Sequence, residues 1–66
     1  MKNKIKAERA MKDITQASLA EMIGVSRQTV NTIESGRYVP STVLALKLSR
    51  IFEKPVNELF ELEDID

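Results

Sequence analysis

The chain has 66 residues, ten Lys/Arg against ten Asp/Glu, and neither cysteine nor histidine. So short a chain makes one domain at most, burying only ~60% of its unfolded surface. It also lacks the side chains for disulfides, thiol chemistry, Ser-His catalysis and most zinc sites, so no cofactor or metal is implied. After Lys2 and Lys4 no apolar stretch of the ~7 to 15 residues that a signal peptide requires follows, and nothing approaches ~20 apolar residues, so the expectation is a soluble cytoplasmic protein with no membrane segment.

In chain order, the punctuation predicts five short helices and no long strand alternation. The first spans residues 3 to 11, with Ile5 and Ala10 inward. The second opens at Thr15, a favourable N-cap, and carries Leu19, Met22 and Ile23 at helical spacing as far as Gly24. Gly24 can take the left-handed conformation that ends a helix without a Cβ penalty. Ser26 caps the third helix, whose inward stripe is Val30 and Ile33, joined by Val25 from just before the cap, and Gly36 closes it. Pro40-Ser41 starts the fourth, with Leu44, Leu48 and Ile51 on one stripe, and Pro55 opens a final turn containing Leu59 and Phe60.

The zero net charge conceals a dipole. Residues 1 to 50 carry nine Lys/Arg against four Asp/Glu, a balance of +5, whereas residues 51 to 66 carry Lys54 against six acids, a balance of −5. That asymmetry fits a basic face that meets phosphates and an acidic end that avoids them.

Two helices joined by a turn of about four residues containing a glycine form a helix-turn-helix, here residues 15 to 35, which sets its second helix in the DNA major groove. At 100° per residue the core direction of that helix lies between Val30 and Ile33. The opposite side shows Gln28, Asn31, Thr32 and Ser35, with Arg27 and Thr29 on the flanks. Arg can donate twice to guanine, Gln or Asn can pair with adenine, and Thr can offer its methyl to thymine. A merely solvated helix would be filled with Glu and Lys, which keep helicity high, rather than with Asn and Thr.

The segments "TQASLAEMIGVSRQTVNTIESGRYVPS" and "ALKLSRIFEKPVNELF" resemble the Cro/phage-repressor-type regulators, the XRE family, and the resemblance extends over about residues 5 to 60. It implies an all-α, five-helix bundle of lambda-repressor-like type, acting as a dimeric, DNA-binding transcriptional regulator, commonly a repressor. Carried over by position, Gln16, Ser26, Arg37 and Tyr38 match phosphate-contacting residues. Arg27, Gln28 and Thr32 match base-contacting ones, and the outward Thr29 and Asn31 join them as candidates. Arg9 and Glu34 match an ion pair that ties the first helix to the end of the third.

Two departures stand out. Glu8 occupies a position where such domains usually have an apolar residue, and Asp13 replaces a glycine, so the first helix is expected to pack less deeply than usual. Asp13 still suits a turn, since Asp tolerates such conformations better than most residues. Short members of the family add a terminal antiparallel sheet, and Phe60-Glu61-Leu62-Glu63 with Ile65 alternates as an edge strand should, with a frayed acidic tail over residues 61 to 66 as the other outcome.

The same tail, with Glu61, Glu63, Asp64 and Asp66, is the best case for a cation-dependent enzyme, but it has no enclosing loop, and solvation explains it better. A protein-interaction module of antitoxin type would need only a different surface on the same helices. One DNA-binding module of this kind buries only ~600 to 1,000 Å² on DNA, so specificity calls for two linked modules about 34 Å apart on a two-fold symmetric operator. Val43, Phe52, Leu62 and Ile65, left over by so small a bundle, are the expected homodimer interface. The bundle uses up the 66 residues, so no small-molecule effector site is expected, and a regulatory signal would arrive through protein concentration, a partner protein or promoter competition.

Overall fold

The computed structural model describes residues 1–66. Five helices, α1 Ile5–Met11, α2 Gln16–Ile23, α3 Arg27–Glu34, α4 Thr42–Phe52 and α5 Val56–Leu59, lie between two short strands, β1 Lys2–Asn3 and β2 Phe60–Glu61. The strands pair antiparallel in the register Lys2↔Glu61 and Asn3↔Phe60, and Lys4 N–H donates to the Leu59 carbonyl at 2.9 Å just beyond them. The fold is therefore the helical bundle with a small terminal ribbon.

Local chemistry explains the helix boundaries. Thr15, Ser26 and Ser41 each stand in extended backbone and accept from the N–H three residues on, at 3.0, 3.1 and 3.2 Å, which satisfies one of the orphan donors at the start of α2, α3 and α4. Gly24 ends α2 at φ +74°, and the Val25 N–H turns back to the Ala20 carbonyl at 2.9 Å. Two non-glycine residues also occupy the left-handed region, Asp13 at φ +56° and Glu53 at φ +55°.

The core consists of Ile5, Leu19, Ala20, Ile23, Val30, Ile33, Leu48, Phe52, Leu59 and Phe60, drawn from every helix and from β2. Several sequence expectations need correction against it. The first helix begins at Ile5 because residues 2 and 3 are engaged in the ribbon. Its inward positions are Ile5 and Glu8, one turn apart, while Ala10 is exposed. Glu8 does not loosen the packing: it is itself buried and ion-paired with Lys54, Oε2 to Nζ 2.6 Å. Met22 is exposed, since Leu19, Ala20 and Ile23 already fill the face of α2 that meets the core. Phe60 belongs to the ribbon rather than to α5.

The expected homodimer residues separate into two kinds. Phe52 is only 3% exposed and packs in the core at the end of α4, so it offers nothing to a second molecule. Val43, Leu62 and Ile65 are exposed. The strand stops at Glu61, and Leu62 and Ile65 lie beyond it without a strand partner. Glu63 and Asp66 turn back to the Met1 amine, at 2.9 and 3.2 Å, which leaves Glu61 and Asp64 as the outlying members of the acidic group.

Candidate nucleic-acid interface

The orientation of α3 follows from its burial. Val30 and Ile33 are almost wholly removed from water, and this fixes the helix with Arg27, Gln28, Asn31 and Ser35 exposed on the other side. Thr29 and Thr32 sit at the edges, half-buried. Their hydroxyls are engaged locally: Thr29 Oγ1 lies 2.9 Å from Ser26 Oγ, and Thr32 Oγ1 donates to the Thr29 carbonyl at 2.9 Å. With its hydroxyl proton turned to the backbone, Thr32 keeps a methyl group, which can make an apolar contact with a thymine methyl, and hydroxyl lone pairs that can still accept.

After α3 the chain folds back over that edge. The Arg37 and Tyr38 N–H groups both donate to the Thr32 carbonyl, at 3.1 and 3.3 Å. Thr29, Thr32, Arg37 and Tyr38 thereby line one shallow recess of about 310 Å³. The structure thus brings Arg37 and Tyr38, expected at phosphates, beside two threonines expected at bases. Ser26 lies at the start of the same helix, its hydroxyl engaged in the cap.

On the other flank Gln16, the first residue of α2, meets the end of α3. Its Nε2 lies 3.0 Å from Glu34 Oε1 and 3.4 Å from Asn31 Oδ1. Arg9 completes the cluster, with Nε 2.8 Å from Glu34 Oε2, Nη2 3.3 Å from Oε1, and Nη1 donating to the Ile14 carbonyl at 2.9 Å. Arg9 and Glu34 are 16% and 5% exposed at their side chains. Burial by itself pushes the Glu34 carboxyl up, but the hydrogen bonds from Arg9 and Gln16, with the charges of Arg9 and Lys6, outweigh it and leave the group below the ordinary carboxylate range. The hydrogen-bonded carboxylate in turn raises Arg9.

Two residues of this region escaped the sequence reading. Lys6 lines a polar cleft of about 180 Å³ with Gln16, Asn31, Glu34 and Ser35, although nothing in the local pattern of α1 marks it out. Asn3 donates from Nδ2 to the Ile33 carbonyl at 2.8 Å and accepts from the Ile5 N–H at 3.1 Å, clamping the end of α3 to the start of α1. The second contact, from an asparagine side chain to the N–H two residues on, is a local Asx turn that the sequence could signal, but the first spans 30 positions.

A helix-turn-helix family model matches residues 5–59. An HTH-type transcriptional regulator of Methanocaldococcus jannaschii is 47% identical over 64 residues, and one of Bacillus subtilis is 48% identical over 64 residues, each alignment covering 97% of both chains. Among solved structures, the restriction-modification controller protein C.AhdI of Aeromonas hydrophila superposes with a TM-score of 0.75 at 32% identity, covering 85% of each chain. The SOS-response transcriptional repressor LexA of Eubacterium rectale superposes with a TM-score of 0.80 at 29% identity, covering 94% of this chain and 66% of its own. With the helix pair, its capped turn and the polar outer face of α3 in place, the chain belongs to the XRE-type helix-turn-helix family of DNA-binding transcriptional regulators.

Proposed function

We propose that the protein is a cytoplasmic repressor that binds a two-fold symmetric DNA operator as a homodimer, with α3 in the major groove. The observation that carries this reading is the division of α3 into a buried apolar side and an outer side on which the Arg27 and Gln28 side chains are exposed and make no internal hydrogen bond. These two side chains hold the donors and acceptors that the major groove of B-DNA distinguishes, and Asn31 and the Thr29 and Thr32 edge extend the same surface.

Ser26, Arg37 and Tyr38 flank that surface and position it on the phosphates. Gln16 joins them through its backbone N–H, which at the first position of α2 has no acceptor within the helix, because both hydrogens of its side-chain amide point to Glu34 and Asn31. Dimerisation uses Val43 together with Leu46, exposed one turn on along α4, and the exposed Leu62 and Ile65. Two such modules supply the area that one lacks.

Selection of bound sequences from a random duplex pool, alongside sedimentation at tens of micromolar, tests the whole reading. The expected result is a dimer and an inverted repeat whose half-sites lie about one helical turn apart. A monomer that enriches a single non-symmetric site refutes the dimeric part, and no enrichment refutes DNA recognition.

A further inference from the structure

Two exposed apolar patches of this chain stand in surroundings of opposite charge. On α4, Leu46, Lys47 and Arg50 follow Val43 by three, four and seven positions, so the four share one stripe, turned away from the buried Leu48 and Phe52. Val43 and Leu46 are 62% and 58% exposed. Arg50 has no ion pair, and Lys47 donates one hydrogen to the Ile23 carbonyl at 3.3 Å, which leaves the stripe apolar with a basic end. The tail beyond β2 has the other sign. Glu63 and Asp66 close a turn there: the Asp66 N–H donates to the Glu63 carbonyl at 3.0 Å, the Glu63 N–H donates to Asp66 Oδ2 at 2.8 Å, and both carboxylates meet the Met1 amine. This turn leaves Leu62 and Ile65 outside, 77% and 88% exposed, beside Glu61 and Asp64, which are exposed and have no ion pair. A tail already held in this shape loses little freedom when another surface covers it.

We propose that the tail of one protomer packs on the α4 stripe of a second copy, and that copy's tail on the α4 stripe of the first. Leu62 and Ile65 then meet Val43 and Leu46, while Glu61 and Asp64 face Lys47 and Arg50. The inference rests on the dimeric reading above and adds which surface meets which. Charge selects the crossed arrangement. A two-fold contact of α4 on α4 would set Lys47 and Arg50 against their own copies, and tail on tail would do the same with Glu61 and Asp64. The crossed contact pairs opposite signs around the apolar side chains instead. Within one chain the two patches do not cover each other, since all four apolar residues remain exposed.

Two charge variants, each first checked for an unfolding transition, test this by sedimentation equilibrium at low salt. In the first, Arg50→Glu with Lys47→Gln turns the stripe acidic, while glutamine can still donate to the Ile23 carbonyl. In the second, Asp64→Lys with Glu61→Gln turns the tail basic. Each alone should dimerise on the order of tenfold more weakly than the wild type, because like charges then meet at both contacts of the dimer. An equimolar mixture should recover the wild-type affinity, since the heterodimer has one contact with its native charges and one with both signs reversed. Ile65→Ser, at a side chain that the monomer leaves in water, should weaken the dimer by a similar factor. Either charge variant dimerising as tightly as the wild type, a mixture no tighter than its components, or an unchanged dimer in Ile65→Ser overturns the crossed contact while a wild-type dimer stands. A wild-type monomer at tens of micromolar overturns the dimeric reading and this proposal with it.

Discussion

Lys54 Nζ lies 2.6 Å from Glu8 Oε2, joining α1 to the turn between α4 and α5 across 46 positions of chain. Glu8 is 7% exposed at its side chain and Lys54 40%, so the pair is buried at one end and wet at the other. Removing the cation strands a buried carboxylate without its partner, whereas removing both charges strands nothing. Lys54→Met should therefore cost about 1 to 3 kcal/mol, less than for a fully buried pair because water reaches the ammonium. Glu8→Leu combined with Lys54→Met should recover most of that loss. Urea titration checks both, and a midpoint unmoved by Lys54→Met would rule the pair out as a stabilising contact.

Arg9 and Glu34 tie α1 to the end of α3, and here both partners are largely removed from water. Glu34→Gln should cost about 2 to 4 kcal/mol, between the values for exposed and buried pairs. The sign of the pH dependence follows from the lowered carboxyl. The unfolded group has the higher pKa, near 4.5, so the stabilisation is fully present above that value and is lost as acid titrates through the lower folded one. The acid limb of a stability-pH curve should accordingly be shallower in Glu34→Gln than in the wild type. Parallel limbs would show that Glu34 does not contribute to acid unfolding.

Glu53 ends α4 at φ +55°, a conformation that costs an ordinary L-residue roughly 1 to 2 kcal/mol. Glycine removes that cost but adds freedom to the unfolded chain, about 0.5 to 1 kcal/mol. Glu53→Gly should thus stabilise by about 0.5 kcal/mol and raise Tm by roughly 2 to 4 °C. Asp13→Gly, at φ +56°, should gain less, since Asp tolerates the left-handed region better than Glu. Scanning calorimetry that ranks the two variants in the opposite order would contradict this account.

Reading and positioning residues should fail differently. Gln28→Ala should cost about 1 to 3 kcal/mol per half-site on the selected operator and relax preference at one base position. Arg37→Ala should weaken all duplexes about equally and lower the slope of log K against log salt by about one unit per half-site. Titrations at several salt concentrations, with a preferred and a scrambled duplex, separate the two. A shift of base preference in Arg37→Ala alone would mean that the recess beside Thr32, not the outer side of α3, does the reading.

What the sequence by itself determined lies within a few residues of its cause. Thr15, Ser26 and Ser41 start helices because a side-chain oxygen can reach an N–H three positions on, and Gly24 stops one because it has no Cβ. Val30 and Ile33 pointed Gln28, Asn31 and Ser35 outward because a helix repeats every 3.6 residues, whereas Thr32, expected outward, sits half-buried at the edge where the chain folds back, and Arg27, expected on a flank, is exposed. Only the tertiary structure decided the rest. Phe52 looked like a spare apolar residue until the folded core took it in, and Glu8 looked like a flaw in α1 until Lys54 arrived opposite. The Asn3 clamp on Ile33 and the chain from Arg9 through Glu34 and Gln16 to Asn31 likewise join residues 15 to 30 positions apart. Whether a side chain is buried, and which atom of an amide turns outward, depends on what stands across from it, and periodicity along one helix carries no information about the facing element.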